Sequence, residues 1–520
     1  MTALRGLWRD NKDSVYLFLV LLLCYAYFFP RWGDWNQNSR LDLAMAIVED
    51  HTLHIDAYVE NTGDYALYEG HSYSDKAPGT SFLGVPVYAA FRSVVRALHL
   101  EPVMARVASD TAIATTIAGE SPASLRHKGY QAAALYCLMI FSSALPSAML
   151  GVLLYHLLRT IDASRPHCLA VTLLYGLGTG AFPYANAFLG HQLAAALLFA
   201  AFYILFRLNP EAPIRLRLGL VGGLLGYAVI TEYPAILVVL PLLAYAGFRL
   251  RARPASLLWI ALGAAPSLGL LAWYDYAIYG TVLPVGYRYS ALWQAEHSTG
   301  LLSLTYPRLS VVWQLLFGTY RGLFSLSPAL LLAVPGFVYL WRERHNRAEG
   351  LASLAAVLAF LAFNSSSCMW WGGFAVGPRY LLPALPFLVW PIIYYLKHQR
   401  SRGGMIFAIA AVLSVGSVWA QTLGGRTFPR YERVPLVEFS LPNLLRGNLA
   451  RNLGMLVGLS GWASLLPWLL ALAVLGRRLW QSIGGAIARP GEERGRRDGG
   501  QCTALSSQEA VDQEACRCEA

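Results

Sequence analysis

His71-Ser-Tyr-Ser-Asp75-Lys76-Ala-Pro78-Gly79-Thr-Ser-Phe-Leu-Gly84-Val-Pro86-Val-Tyr88-Ala-Ala-Phe91 is the stretch on which the fold turns. Residues 80–97 are apolar enough to suggest a membrane-crossing helix. If they cross, the orientation of everything after them inverts. Outward from this stretch lie twelve apolar segments of about the length a bilayer requires, roughly 17–25 residues. They are 14–30, 130–157, 167–183, 189–206, 217–231, 233–248, 255–275, 324–341, 350–364, 380–396, 404–421 and 462–479. The first lacks a small-residue cleavage site and is expected to remain as a span. With the N-terminus inside, nineteen Lys and Arg fall in the short inner loops. The three short outer loops, near 184–188, 232 and 365–379, hold one, Arg379. This is the positive-inside asymmetry. A crossing at 80–97 would reverse it, so this segment is expected in the outer interface or as a re-entrant helix.

Composition agrees. Of 520 residues, 14% are charged and 56% hydrophobic, with a mean hydropathy of +0.44. Soluble chains carry about 25% charged residues, and disordered ones are poor in apolar residues. The net charge of +11, from 41 Lys+Arg against 30 Asp+Glu, reads as orientation charge rather than a nucleic-acid footprint. Seven cysteines without CxxC spacing give no disulfide framework or zinc site. The expected fold is an all-α polytopic membrane protein of about twelve transmembrane helices. Residues 1–479 form the transmembrane unit, with long outer loops at 31–129, 276–323 and 422–461. The polar tail, 480–520, is expected to be disordered. The chain is expected to be multi-pass with both termini cytoplasmic.

Polar residues gather in the outer loops. From Ser39, a plausible N-cap, the first loop reads as an amphipathic helix lying on the membrane, with Leu41, Ala44, Met45 and Val48 on one face and Asp42 in its first turn. Lys76, in Asp75-Lys76-Ala-Pro78-Gly79, sits where a basic side chain can meet a lipid phosphate; the competing reading is a solvated charge that snorkels. His191 and Gln192 open a span at the same face. Glu232 breaks a helical pair at its outer end. Two aromatic and Gly-rich segments follow, Tyr274 to Tyr289 with Tyr287, and Cys368 to Tyr380 with Trp371. Trp-rich span ends are usually only the aromatic belt. Arg379 stands against the orientation rule, which suggests a compensating anion.

The chain resembles the GT-C superfamily of integral-membrane glycosyltransferases, in the branch of the protein O-mannosyltransferases and the lipid A aminoarabinose transferase. The resemblance covers most of residues 14–400. Asp42 matches the acidic residue that such proteins carry on a juxtamembrane helix of the first outer loop. Asp75-Lys76-Ala-Pro78-Gly79 matches their Lys-Pro-Pro-Leu-like motif, whose lysine contacts the carrier-lipid phosphate, with alanine replacing the first proline. The chain departs from the family at the fourth span, where His191-Gln192 stands in place of a second acidic residue. Trp370-Trp371-Gly-Gly and Gly377-Pro-Arg379-Tyr380 resemble a bacterial subgroup.

The resemblance implies a location in the bacterial plasma (inner) membrane. It also implies transfer of a sugar, hexosyl or pentosyl, from a polyprenyl-phosphate donor to a glycan, lipid or protein acceptor at the outer face, with inversion. Lys76, then Arg379 and Arg321, would stabilise the leaving phosphate. Asp42 would be the base, and Asp75, His191, Gln192, Glu232, Tyr287, Trp371 and Tyr380 complete the candidate site. No nucleotide loop or Walker lysine is present. No metal ligand is assigned, and a divalent metal is left open as cofactor. The partners are the donor lipid, the bilayer and the acceptor, with no nucleic acid. The alternatives are a transporter or flippase of a lipid-linked glycan, which would show internal repeats and midplane charges, and a non-catalytic scaffold.

Overall fold

Helices carry most of the described chain in the computed structural model, which describes residues 11–31, 35–103, 122–209, 214–282, 286–301, 303–399 and 401–487. Its two-stranded antiparallel hairpin joins β1 (Tyr65–Tyr68) to β2 (His71–Ser74). Each of the twelve expected segments contains a helix or consecutive helical pieces. Six are long and apolar enough to cross a bilayer: Lys128–Arg159, Pro254–Tyr279, Arg347–Ser366, Arg379–His398, Ser401–Leu423 and Gly461–Ile483. Six of the twelve expected segments thus meet the length and composition of a crossing helix among the described residues, and Gly190–Phe206 and Tyr233–Arg249 are shorter apolar helices. The first segment forms a 15-residue helix, Lys12–Ala26. The third, Arg165–Leu177, stops at Gly178. The eighth is divided at Ser327-Pro328 into Leu323–Leu326, Pro328–Leu332 and Ala333–Glu343, as expected where proline lacks the N–H that a helix needs.

Apolar side chains face outward on some of these helices and inward on others. The most apolar stretch of Pro254–Tyr279 is only 6% buried, with Leu258, Leu262 and Leu268 exposed, while that of Arg379–His398 is 83% buried. Exposed apolar faces of this length are unstable in water and suit lipid. The chain is thus a membrane protein with inner and lipid-facing helices.

Residues 79–97 form one helix, Gly79–Ala97, that falls outside the six crossing candidates. It buries Gly79, Thr80, Gly84, Tyr88 and Val95 and leaves most of its other positions partly or fully exposed, as an interfacial helix does. A Cβ on Gly79 would lie 2.7 Å from the carbonyl oxygen of Ile230. This close approach seats the segment after Lys76 on the end of helix Arg215–Thr231, where Tyr227 also donates to the Gly79 carbonyl at 2.8 Å.

Two expectations about the first loop are corrected. The juxtamembrane helix begins at Trp35, not after Ser39, and runs to Glu49. Ser39 is therefore interior and bonds Ser74 (2.8 Å) instead of capping, and Asp42 lies two turns in. Nor does one face rest on the membrane, because the helix is buried from Asn36 through Ala46. Leu41, Ala44 and Met45 join the main core. Leu43 and Ala46 join a second cluster with Ile55, Tyr274, Ile278 and Tyr279. At the other end of the chain, helix Leu466–Ile487 continues past the expected start of the tail at 480; residues 488–520 lie outside the described set.

Candidate functional site at the first loop

The hairpin organises the site. Its turn, Glu69-Gly70, has positive φ at both positions, 49° and 84°. This is the backbone of the tight two-residue turn that matches strand twist. The register pairs Tyr65 with Ser74 and Tyr68 with His71. Asp64 and Asp75 therefore flank the open end of the ladder side by side. Aromatic packing holds the hairpin on helix Leu257–Tyr279: Tyr68 meets Tyr279 edge-on at 5.2 Å, and Tyr279 stacks on Tyr289 at 4.9 Å.

Lys76 is enclosed there, only 8% exposed. Its Nζ lies 2.9 Å from Asp64 Oδ2 and 3.0 Å from Asp75 Oδ1, and 5.7 Å from the centre of the Tyr287 ring. It is thus neither snorkelling nor solvated. Trp293 Nε1 donates to Asp64 (3.0 Å), and the Ser290 hydroxyl donates to Asp75 (3.4 Å). Burial works against the Lys76 ammonium, but the two carboxylates outweigh it and raise its pKa. Burial likewise raises the Asp64 carboxyl, yet Lys76, the Trp293 N–H and Arg379 outweigh it and hold the pKa low. Asp75 goes the other way: burial raises it by more than Lys76 returns, and Asp64 adds to the rise.

Asp42 is fully buried on the neighbouring helix. Asn61 Nδ2 donates to its Oδ1 at 3.3 Å, and its Oδ2 has no hydrogen-bond partner. Burial holds this carboxyl well above the usual range, with Asn61 pulling the other way. Separate bonds tie its helix to the lysine segment. Thr62 Oγ1 donates to the Trp35 carbonyl and accepts from the Asp64 amide, Ser39 bonds Ser74, and Arg40 donates to the Ala77 carbonyl at 2.9 Å.

Arg40 also reaches Glu232 Oε1 at 2.9 Å, both side chains being under 10% exposed. His191 Nδ1 approaches the same oxygen at 3.5 Å, and its ring meets Tyr380 edge-on at 5.9 Å. Arg379 lies 5.4 Å over Tyr380. The loop Gly372-Gly373, in left-handed backbone, brings its chain against the Arg379 stem. Two candidates are committed elsewhere. Gln192 donates to the Ala181 carbonyl at 3.1 Å inside the bundle. Arg321 spends its guanidinium on the carbonyls of Trp371, Gly373 and Arg430 at 2.9–3.1 Å. Trp371 thus enters through its backbone, as a support of Arg321. Asp64, Arg40, Asn61 and Trp293 were not singled out in the sequence. The Glu-Gly turn between two short alternating runs was the signal that would have placed Asp64 beside Lys76.

No protein-family model matches the chain, and no curated protein does. Two crystal structures of ArnT from Cupriavidus metallidurans are similar to it. One is in the apo state (TM-score 0.43) and the other is bound to undecaprenyl phosphate (TM-score 0.44). In each case the identity is 14%, over 93% of this chain and 74% of that one.

Proposed function

We propose that this chain is a membrane glycosyltransferase that moves a sugar from a polyprenyl-phosphate carrier to an acceptor hydroxyl or amine at the outer face. The observation that carries the reading is the pairing of one enclosed lysine, held at fixed geometry by two carboxylates, with a buried carboxylate whose second oxygen has no partner, both on one hydrogen-bonded loop. In this reading Asp42 takes the acceptor proton as the acceptor atom attacks the anomeric carbon. The bond from that carbon to the phosphate oxygen breaks, and the electron pair leaves with the phosphate. Lys76 and Arg379 stabilise the charge left there. Direct displacement inverts the anomeric centre. Tyr287, Tyr380 and the Arg40–Glu232–His191 group shape the sugar-facing wall. Arg321 and Gln192 hold loops in place.

The test is transfer from a labelled polyprenyl-phosphate sugar in vesicles. Asp42→Asn and Lys76→Ala should each lower turnover by about 10²-fold or more, the range of a lost base or a lost charge stabiliser, while the protein stays folded in the membrane. Full activity in both variants ends the reading. Label that only changes leaflet, with no product, identifies a flippase instead.

A further inference from the structure

A second constellation lies at the far end of the hairpin from Lys76. His54 and Asp56 follow the juxtamembrane helix, and His71 opens β2. His71 Nδ1 stands 2.7 Å and His54 Nδ1 3.1 Å from the same atom, Asp56 Oδ2. The three donor atoms lie within 4.8 Å of one another, and the two imidazoles stack 4.7 Å apart. His54 Nδ1 is shielded from solvent yet forms no hydrogen bond. The other oxygen of Asp56 is fixed by the Ser72 amide at 2.7 Å. That bond aims Oδ2 between the rings, as an outer-shell donor orients a metal-binding carboxylate. Backbone pairing of Ile55 with Ser72 (2.7 Å) and of His54 with Tyr73 holds the two segments together.

We infer that His54, Asp56 and His71 form a binding site for a divalent transition-metal ion, with zinc the best fit. Two imidazoles and one carboxylate are a borderline donor set that suits zinc better than magnesium or calcium, which prefer oxygen alone. Zinc–ligand bonds of about 2.0–2.1 Å in a tetrahedron separate donors by about 3.3 Å. The two contacts to Asp56 Oδ2, 2.7 and 3.1 Å, would open by about 0.6 and about 0.2 Å, and the two imidazole nitrogens, within 4.8 Å of each other, would settle at the same spacing. The three side chains are 37–52% exposed, which leaves room for water as the fourth ligand. His54 also lines an open groove of about 530 Å³ beside Leu53, Tyr73 and Trp273, which gives the ion access. Bound there, the ion would clip the 52–56 segment to β2 five residues before Lys76 and so brace the hairpin. The inference does not depend on what the protein transfers.

The experiment uses the full chain without a polyhistidine tag, purified in nanodiscs, stripped with chelator and titrated with Zn²⁺ by calorimetry, with metal content read independently. One equivalent of zinc is expected, with a zinc-dependent rise in melting temperature and no uptake of Mg²⁺. His71→Gln and Asp56→Asn should each weaken binding at least tenfold and remove the zinc-dependent rise. Asp56→Asn keeps an oxygen for the Ser72 amide, so it guards against simple misfolding. Failure of the native chain to take up stoichiometric zinc overturns the site. So does stoichiometric binding that neither variant weakens.

Discussion

Asp42 and Asp75 make opposite demands on protons. In the proposed reaction Asp42 is a base, which it can be only when ionised, and burial raises its pKa. Its raised value stabilises the fold at low pH, and that contribution fades as pH rises through it. The acid limb of kcat/KM should therefore lie above the ordinary carboxylate range near 4. Asp75 is also raised, but under the proposed function its proton would help donor binding. When Asp75 is ionised, Lys76 faces two carboxylates and little net positive charge remains for a phosphate. Protonation removes one of them. One charge about 5 Å away, at an effective dielectric near 20, is worth roughly 3 kcal/mol; after side-chain relaxation about tenfold in affinity should survive. Polyprenyl-phosphate binding should thus be stronger in Asp75→Asn than in the native protein at high pH, by about tenfold, and the two should converge as pH falls. The phosphate's own titration is common to both and cancels. Parallel pH curves would show that Asp75 does not gate Lys76.

At the scale of elements, the juxtamembrane helix Trp35–Glu49 is the hub, because it touches both hydrophobic clusters and both halves of the site. Its buried ion pair, Arg40 with Glu232, ties it to the end of helix Arg215–Thr231. Removing one partner strands the other charge, so Arg40→Met should cost about 3–5 kcal/mol. Arg40→Met with Glu232→Gln should recover part of that, because no unpaired charge is left. Thermal unfolding in nanodiscs of Arg40→Met, Glu232→Gln and the double variant measures this, and a double loss equal to the sum of the two single losses would mean that the pair carries no coupling. This hub also marks where the sequence stopped being readable. Hydrophobic spacing revealed the helix and Asp42, but Ser39 looked like a cap because a Ser before an apolar run is a start signal. The polar residues Asn36, Gln37 and Asn38 form the buried first turn instead, where Gln37 and Asn38 bond outward to residues 31 and 61 and Asn36 accepts from Arg40. Local pattern cannot show such partners. Asp64 was missed for a related reason: its role comes from hairpin register, twelve residues from Lys76.

For the whole molecule, composition and the arginine count revealed a helical membrane protein and kept Gly79–Ala97 out of the set of crossing candidates. Both follow from physics that acts on averages, the cost of charge in hydrocarbon and the charge bias of loops. The shape of the spans was less legible, because Gly and Pro end or divide several of the helices. The orientation can still be tested directly. Glu69 is exposed at the tip of the hairpin, and Arg251 is exposed in a loop at the opposite ends of its helices. The charge asymmetry puts the first outside and the second inside. Glu69→Cys should react with a membrane-impermeant maleimide in intact cells, whereas Arg251→Cys should react only after the membrane is opened, each judged against the unsubstituted chain. Reversed labelling would place the Lys76 site on the cytoplasmic side. A lipid-linked donor there would have to be presented at the inner leaflet, and the outer-face transfer proposed above would fail even if Lys76 and Asp42 were both essential.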